Sequence, residues 1–226
     1  MEKQVTNISQ QLVLQQINKS SLVVQNKKDL YFTKGDNPLS FIDTEKYFYF
    51  IMSGKIKVFQ IDFESSKELT LYMLSYGDMF DVVSLLDSQT NQYTSEVLED
   101  THLVQVPLED VKAMILADSQ FRQYFYSYLA KQLNSLENLA VSLSFYDVYH
   151  RVLKLFAKFT EIVNGKTKLK IIDNITHDDI ASMVGSVRKV VNRSLQRLKK
   201  DGIIEIQRKK IHIKNFQKLL DKLTLS

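Results

Sequence analysis

Ile175–Leu198 reads ITHDDIASMVGSVRKVVNRSLQRL, and its spacing predicts two short helices joined at a glycine. Thr176 is suited to cap the first, with Asp179 three residues on completing an Asp variant of the capping box and Asp178 adding negative charge to the first turn. Gly185 stands where a tight helix–helix connection needs positive φ. Ser186 is the expected cap of the second helix. Within that helix Val187, Val190, Val191, Ser194, Leu195 and Leu198 recur at spacings of three and four and form the expected buried stripe. Arg188, Lys189, Asn192, Arg193 and Arg197 fall largely outside it.

A solvated basic face is the ordinary explanation of such charges, but the flanking sequence argues for more. Asp201-Gly202 is followed by IIEIQRKKIHI, an alternating run with a basic centre at Arg208, Lys209 and Lys210, which predicts a β-hairpin wing. From Arg188 to Lys214 there are ten basic residues and two acidic ones. The whole chain carries only +4, yet the part through His150 has 12 basic and 19 acidic residues and the remainder 18 and 7, net charges of −7 and +11. Such asymmetry points to a polyanion as partner of the C-terminal part.

The front of the chain is strand-like. Leu30–Phe32, Tyr47–Met52, Lys55–Asp62, Glu68–Leu74, Thr94–Leu98 and Leu103–Val106 are short runs of aromatic and β-branched residues. Their spacing suggests a sandwich or barrel, with Gly35, Gly54 and Gly77 read as turn residues. From Asp118 to Ser144 there is neither Gly nor Pro, and Phe125, Leu129, Gln132, Leu136, Leu139 and Leu143 follow a heptad spacing. That pattern predicts a dimer seam, and a second helical run is expected over 146–163. The expected domains are 1–117, a connecting helix 118–144, and 145–226.

Several classes are disfavoured. The chain has no cysteine, which excludes disulfides, thiolate zinc sites and cysteine-held iron–sulfur clusters. No apolar run reaches the roughly 18 residues of a membrane span and the N-terminus lacks a signal-peptide core, so a cytoplasmic protein without membrane contact is expected. No phosphate loop, nucleophile elbow or HExxH motif supports an enzyme, and no catalytic residues are assigned.

The order TKGD, YFIMSGKIKVF, YGDMF, the segment opening at Pro107-Leu108-Glu109-Asp110, a long helix and a winged helix-turn-helix resembles the Crp/Fnr family of bacterial transcription regulators. The resemblance covers nearly the whole chain. It implies an α+β architecture: an N-terminal jelly roll (double-stranded β-helix) that senses an effector, a dimerisation helix, and a C-terminal winged helix-turn-helix domain. It also implies a homodimer on double-stranded DNA with a palindromic operator, and RNA polymerase as a further partner. The rival reading is a non-catalytic ligand-binding subunit whose basic half binds a protein or polyanion without sequence choice.

Two departures from the family pattern carry weight. Cyclic-nucleotide-binding members hold the phosphate with an Arg beside Ser or Thr and the ribose with the Glu of a Gly-Glu pair. Here Asp81-Val82 stands at that pair, and no Lys or Arg occurs from Glu68 through Val111. A buried phosphate lacking a cation is badly compensated, so neither cAMP nor cGMP is expected as the small-molecule effector. No metal or cofactor is assigned; His102 and His150 are the candidates for a haem ligand, against a more common structural role for each.

The second departure lies in the reading helix, where family members place an Arg-Glu pair and a later Arg. Arg188 and Arg193 keep this pattern and suit bidentate contacts to guanine, whereas Lys189 replaces the glutamate and can only donate. Arg188, Lys189, Asn192 and Arg193 are therefore the expected base contacts. Thr176, Ser186, Arg197, Lys199, Lys200, Arg208, Lys209 and Lys210 are the expected phosphate contacts.

Overall fold

The computed structural model describes residues 26–87, 93–163, 166–169, 172, 175–207 and 210–224. They form two compact units: one runs to Val58 and continues over Tyr72–Leu136, and the other joins Phe59–Leu71 to Glu137 and beyond. The division thus falls inside the long helix, not at 117 or 144, and the far end of one hairpin groups with the C-terminal unit.

The first unit is built on β1 (Lys28–Phe32), β2 (Tyr47–Asp62), β3 (Lys67–Ser75), β4 (Met79–Phe80) and β5 (Thr94–Pro107). The strands run in the order β1-β5-β2-β3, with β4 on β2. Period-two alternation along β2 feeds two cores. Phe48 and Phe50 join Val104, Val106, Met114, Phe121 and Phe125 in one, and Tyr49 and Ile51 join Val97, Leu103 and Phe80 in the other.

Two pairs of expected strands are single long ones, and Gly54 explains the first. It lies inside β2 with φ +89°. Before it the odd-numbered Tyr49 and Ile51 point into the second core; after it the even-numbered Ile56 and Val58 do. One residue has been inserted into the alternation, as a β-bulge does. A Cβ at Gly54 would overlap Thr101 of β5, so this glycine permits a close approach within the sheet and is not a chain reversal.

Helices follow: α1 (Val82–Asp87), α2 (Leu108–Ala117), α3 (Ser119–Phe145) and α4 (Val148–Phe159). Asp81 accepts from the Val83 amide at 3.0 Å and the Ser84 hydroxyl at 2.9 Å at the start of α1. Asp147 caps α4 by accepting from the His150 amide. The helical run expected to 163 stops at Phe159, because Thr160–Val163 is a β-branched segment that pairs as β6 with β7 (Lys166–Leu169).

The remainder comprises α5 (His177–Met183), α6 (Arg188–Lys200), β8 (Ile204–Gln207), β9 (Lys210–Ile213) and α7 (Phe216–Thr224). β8 and β9 are the expected wing, in register from Ile204↔Ile213 to Gln207↔Lys210. Val191, Leu195 and Leu198 of α6, Ile180 of α5, Phe156 of α4 and Leu219 of α7 are all buried.

Candidate nucleic-acid interface

The helix-turn-helix is fixed locally. Thr176 Oγ1 accepts from the Asp179 amide at 3.1 Å, and Asp179 Oδ2 accepts from the Thr176 amide at 2.9 Å, completing the capping box. Gly185 takes φ +59°. Arg151 of α4 donates through Nη1 to the Val184 carbonyl at 2.6 Å and the Gly185 carbonyl at 3.4 Å, pinning the turn from behind.

This frame leaves Arg188, Lys189 and Arg193 of α6 exposed, with Asn192 half-buried beside them. Their positions at i, i+1, i+4 and i+5 hold them to one side of the helix, opposite the buried Val191, Leu195 and Leu198. Arg188 Nη1 pairs with Asp178 Oδ2 of α5 at 2.9 Å, both side chains 62% exposed, so DNA has only a weak surface pair to displace. Asn192 Oδ1 lies 2.6 Å from His177 Nδ1.

Around this face Lys199, Lys200 and Lys210 are exposed. Arg197 is exposed too, but its guanidinium stacks 4.1 Å above the Tyr149 ring, whose hydroxyl donates to Asp201. Arg208 and Lys209 lie outside the described residues. One cap is corrected, and two of the expected phosphate contacts have polar groups engaged within the protein. Ser186 does not cap α6: the cap position is Val187, with no side-chain hydrogen bond, and the Ser186 amide is spent on the Ala181 carbonyl at 2.9 Å. Thr176 has its hydroxyl donating to Asp179 Oδ2 at 2.8 Å and its amide bonded to the same oxygen, so its polar groups serve the capping box.

The expected seam on α3 is also corrected at alternate positions. Phe125 is fully buried in the core with Phe121, and Gln132 donates to the Tyr128 hydroxyl of its own unit at 2.6 Å. Leu139 is half-buried, as Leu129, Leu136 and Leu143 are, and it gives way to the exposed Ala140 only to keep the three-four alternation in line with Tyr126 and Leu133. The exposed large apolar residues of α3 are Tyr126 (55%), Leu133 (59%), Val141 and Phe145, of which Tyr126 and Leu133 fall in line with the expected seam. With Leu129, Leu136 and Leu143 retained, the stripe becomes Tyr126, Leu129, Leu133, Leu136, Ala140 and Leu143, an unbroken three-four alternation.

The first unit holds a cavity of about 310 Å³ between β3, β4, α1 and α3. Tyr72, Leu74, Phe80, Val82, Leu129 and Leu136 supply apolar walls, and its ionisable carboxyls are Asp81 and Asp87; among the described residues no Lys or Arg lines it. His102 and His150 are elsewhere. His102 Nε2 pairs with Asp29 at 2.6 Å and its ring stacks on Tyr31 at 4.5 Å, while His150 Nδ1 contacts the capping Asp147 at 2.8 Å. Among the described residues no group of three or more His, Asp or Glu side chains is placed to hold a metal ion, and no helix is long and apolar enough to cross a membrane.

Comparison with known proteins finds two successive domain matches. Residues 30–118 match the cyclic nucleotide-binding domain, and residues 150–222 match the Crp-like helix-turn-helix domain. The "Cyclic AMP receptor protein" of Thermus thermophilus is 27% identical over 164 residues, 73% of either chain. A "Global nitrogen regulator" of Synechocystis is 24% identical over 177 residues, 76% of this chain and 78% of that one. Among solved structures, a CooA mutant from Carboxydothermus hydrogenoformans superposes with a TM-score of 0.76 at 21% identity, covering 92% of this chain and 94% of the other. FixK2 from Bradyrhizobium japonicum gives 0.70 at 18% identity, covering 86% and 96%.

Proposed function

The chain belongs to the Crp/Fnr family of transcription regulators, and from that premise we propose that it is a cytoplasmic, sequence-specific DNA-binding regulator acting as a homodimer on a palindromic operator. The observation that carries this reading is the exposed set Arg188, Lys189 and Arg193 on one side of α6, flanked by Lys199, Lys200 and Lys210. Guanidinium groups there suit guanine O6 and N7 in a major groove, and the surrounding lysines suit phosphates. A symmetric dimer of helix-turn-helix subunits reads half-sites about one helical turn, roughly 10 base pairs, apart, and the Tyr126–Leu143 stripe is the surface we propose for its pairing. RNA polymerase is then the further partner of the DNA-bound dimer.

The test is selection from a random duplex library followed by competition binding. Wild-type protein should recover an inverted repeat. Arg193→Ala should cost about 1–3 kcal/mol and relax choice at one base pair per half-site, while Lys199→Ala should weaken all sequences alike. Binding indifferent to sequence would instead favour a general polyanion binder.

The effector we propose is an uncharged or cationic apolar small molecule in the cavity beside Leu129 and Leu136. An apolar lining with two carboxyls and, among the described residues, no cation disfavours cAMP and cGMP. The engagement of His102 and His150 with carboxylates away from that lining favours function without haem. Native mass spectrometry with an absorption spectrum of the purified protein checks both points, and micromolar cAMP binding that alters DNA affinity would overturn the first.

A further inference from the structure

The contact between His177 and Asn192 joins the first residue of α5 to the face of α6 assigned above to base reading, and it fixes which end of an amide meets DNA. At 2.6 Å the Asn192 carbonyl oxygen can only accept, so His177 Nδ1 carries the proton and donates. The amide nitrogen, a donor only, is left with no hydrogen-bond partner among the described residues. Arg188 and Lys189, one turn before Asn192, and Arg193, beside it, are likewise donors only.

We propose that His177 is a positioning residue that sets the polarity of Asn192, holding its amide nitrogen toward the base edge so that this position selects an acceptor-bearing base and rejects cytosine. The inference rests on the reading of α6 as the recognition helix. In the major groove guanine offers N7 and O6, adenine N7 and thymine O4, whereas cytosine offers only the N4 donor. An Asn released from His177 can turn its amide over and accept from cytosine N4. One such hydrogen bond is worth about tenfold in discrimination. The chemistry of residue 177 therefore dictates the sign of a base preference to which it makes no direct contact.

The test uses the full-length protein and the half-site recovered from random duplexes. Competition binding gives the affinity ratio of G·C to C·G at the step whose preference Asn192→Ala flattens. A ratio cancels any uniform change in phosphate contact. His177→Ala should reduce it from about tenfold toward unity, and His177→Lys, also a pure donor, should retain it. His177→Glu, a pure acceptor, should invert it, because the amide nitrogen must then turn inward. Asn192→Asp should invert it too, its outward oxygen accepting from cytosine. Thermal denaturation of each variant separates these ratios from loss of fold.

An unchanged ratio in His177→Ala, or failure of His177→Glu to shift it toward cytosine in a folded protein, overturns the proposal. If Asn192→Ala alters no base preference while Arg193→Ala does, the positioning role falls and the DNA-reading function stands. If wild-type protein shows no sequence choice, both fall.

Discussion

The hydroxyls of Thr70 on β3 and Ser182 on α5 lie 2.7 Å apart, 112 residues apart in sequence and both buried. The far end of the β2–β3 hairpin thereby belongs with the helix-turn-helix. Losing either hydroxyl leaves its partner unsatisfied away from water. Thr70→Val or Ser182→Ala should each cost about 1–3 kcal/mol. The double variant should cost less than the two together, because no orphaned hydroxyl remains. Urea denaturation of the four proteins measures this, and strict additivity would count against a shared bond.

Asp78 gives a pH dependence of known direction. Burial pushes its carboxyl up to about 6, outweighing the hydrogen bonds from the Ser75 amide and hydroxyl, which favour the ionised form. The unfolded chain ionises near the ordinary value of 3.8. On acidification from pH 7 the folded state takes up the proton first, so this group adds stability between about pH 6 and 4 and withdraws it as pH rises through 6. Asp78→Asn should flatten that part of the profile. Denaturation midpoints at pH 4.5, 5.5 and 7 provide the check; identical slopes in both proteins would contradict it.

The revised stripe on α3 separates two variants that the heptad of Phe125 and Gln132 would treat alike. Leu133→Glu places a charge on an exposed apolar position and should convert the proposed dimer to monomer while leaving each chain folded. Phe125→Ala opens a hole in the core and should cost about 3–5 kcal/mol of stability without dissociating the dimer. Analytical ultracentrifugation with thermal denaturation distinguishes them.

Asp178 holds Arg188 through an exposed pair, so Asp178→Asn should leave stability within about 0.5 kcal/mol. It should raise DNA affinity for all sequences by removing a negative charge beside the phosphates. Fluorescence anisotropy at two salt concentrations reads this; an unchanged affinity would place Asp178 away from the duplex.

The features legible in the sequence were those decided by neighbours in the chain. The Thr176–Asp179 capping box, the positive φ of Gly185 and the β8–β9 wing each need only a few consecutive residues to be specified. What escaped was decided across the fold. Gly54 looks like a turn glycine until Thr101 is seen against it. The stripe on α3 serves two surfaces at once, the core through Phe121 and Phe125 and the exposed side through Tyr126 and Leu133, and a mixed apolar helix does not announce which is which. Ser186 has the composition of a cap, but its amide is taken by Ala181. The pairing of His177 with Asn192 has no local signal at all, since it depends on the angle between two helices.

The pairing of β1 with β5 has a consequence for how the chain acquires its structure. Lys28 lies opposite Gln105 and Phe32 opposite Thr101, so the first described strand finds its partner only after some seventy residues more have been made. The wing closes between Gln207 and Lys210, and the capping box within four residues. Loop-closure entropy must be met before distant contacts return anything, so the sensing part should assemble slowly and the DNA-reading part quickly, although the ribosome delivers them in the opposite order.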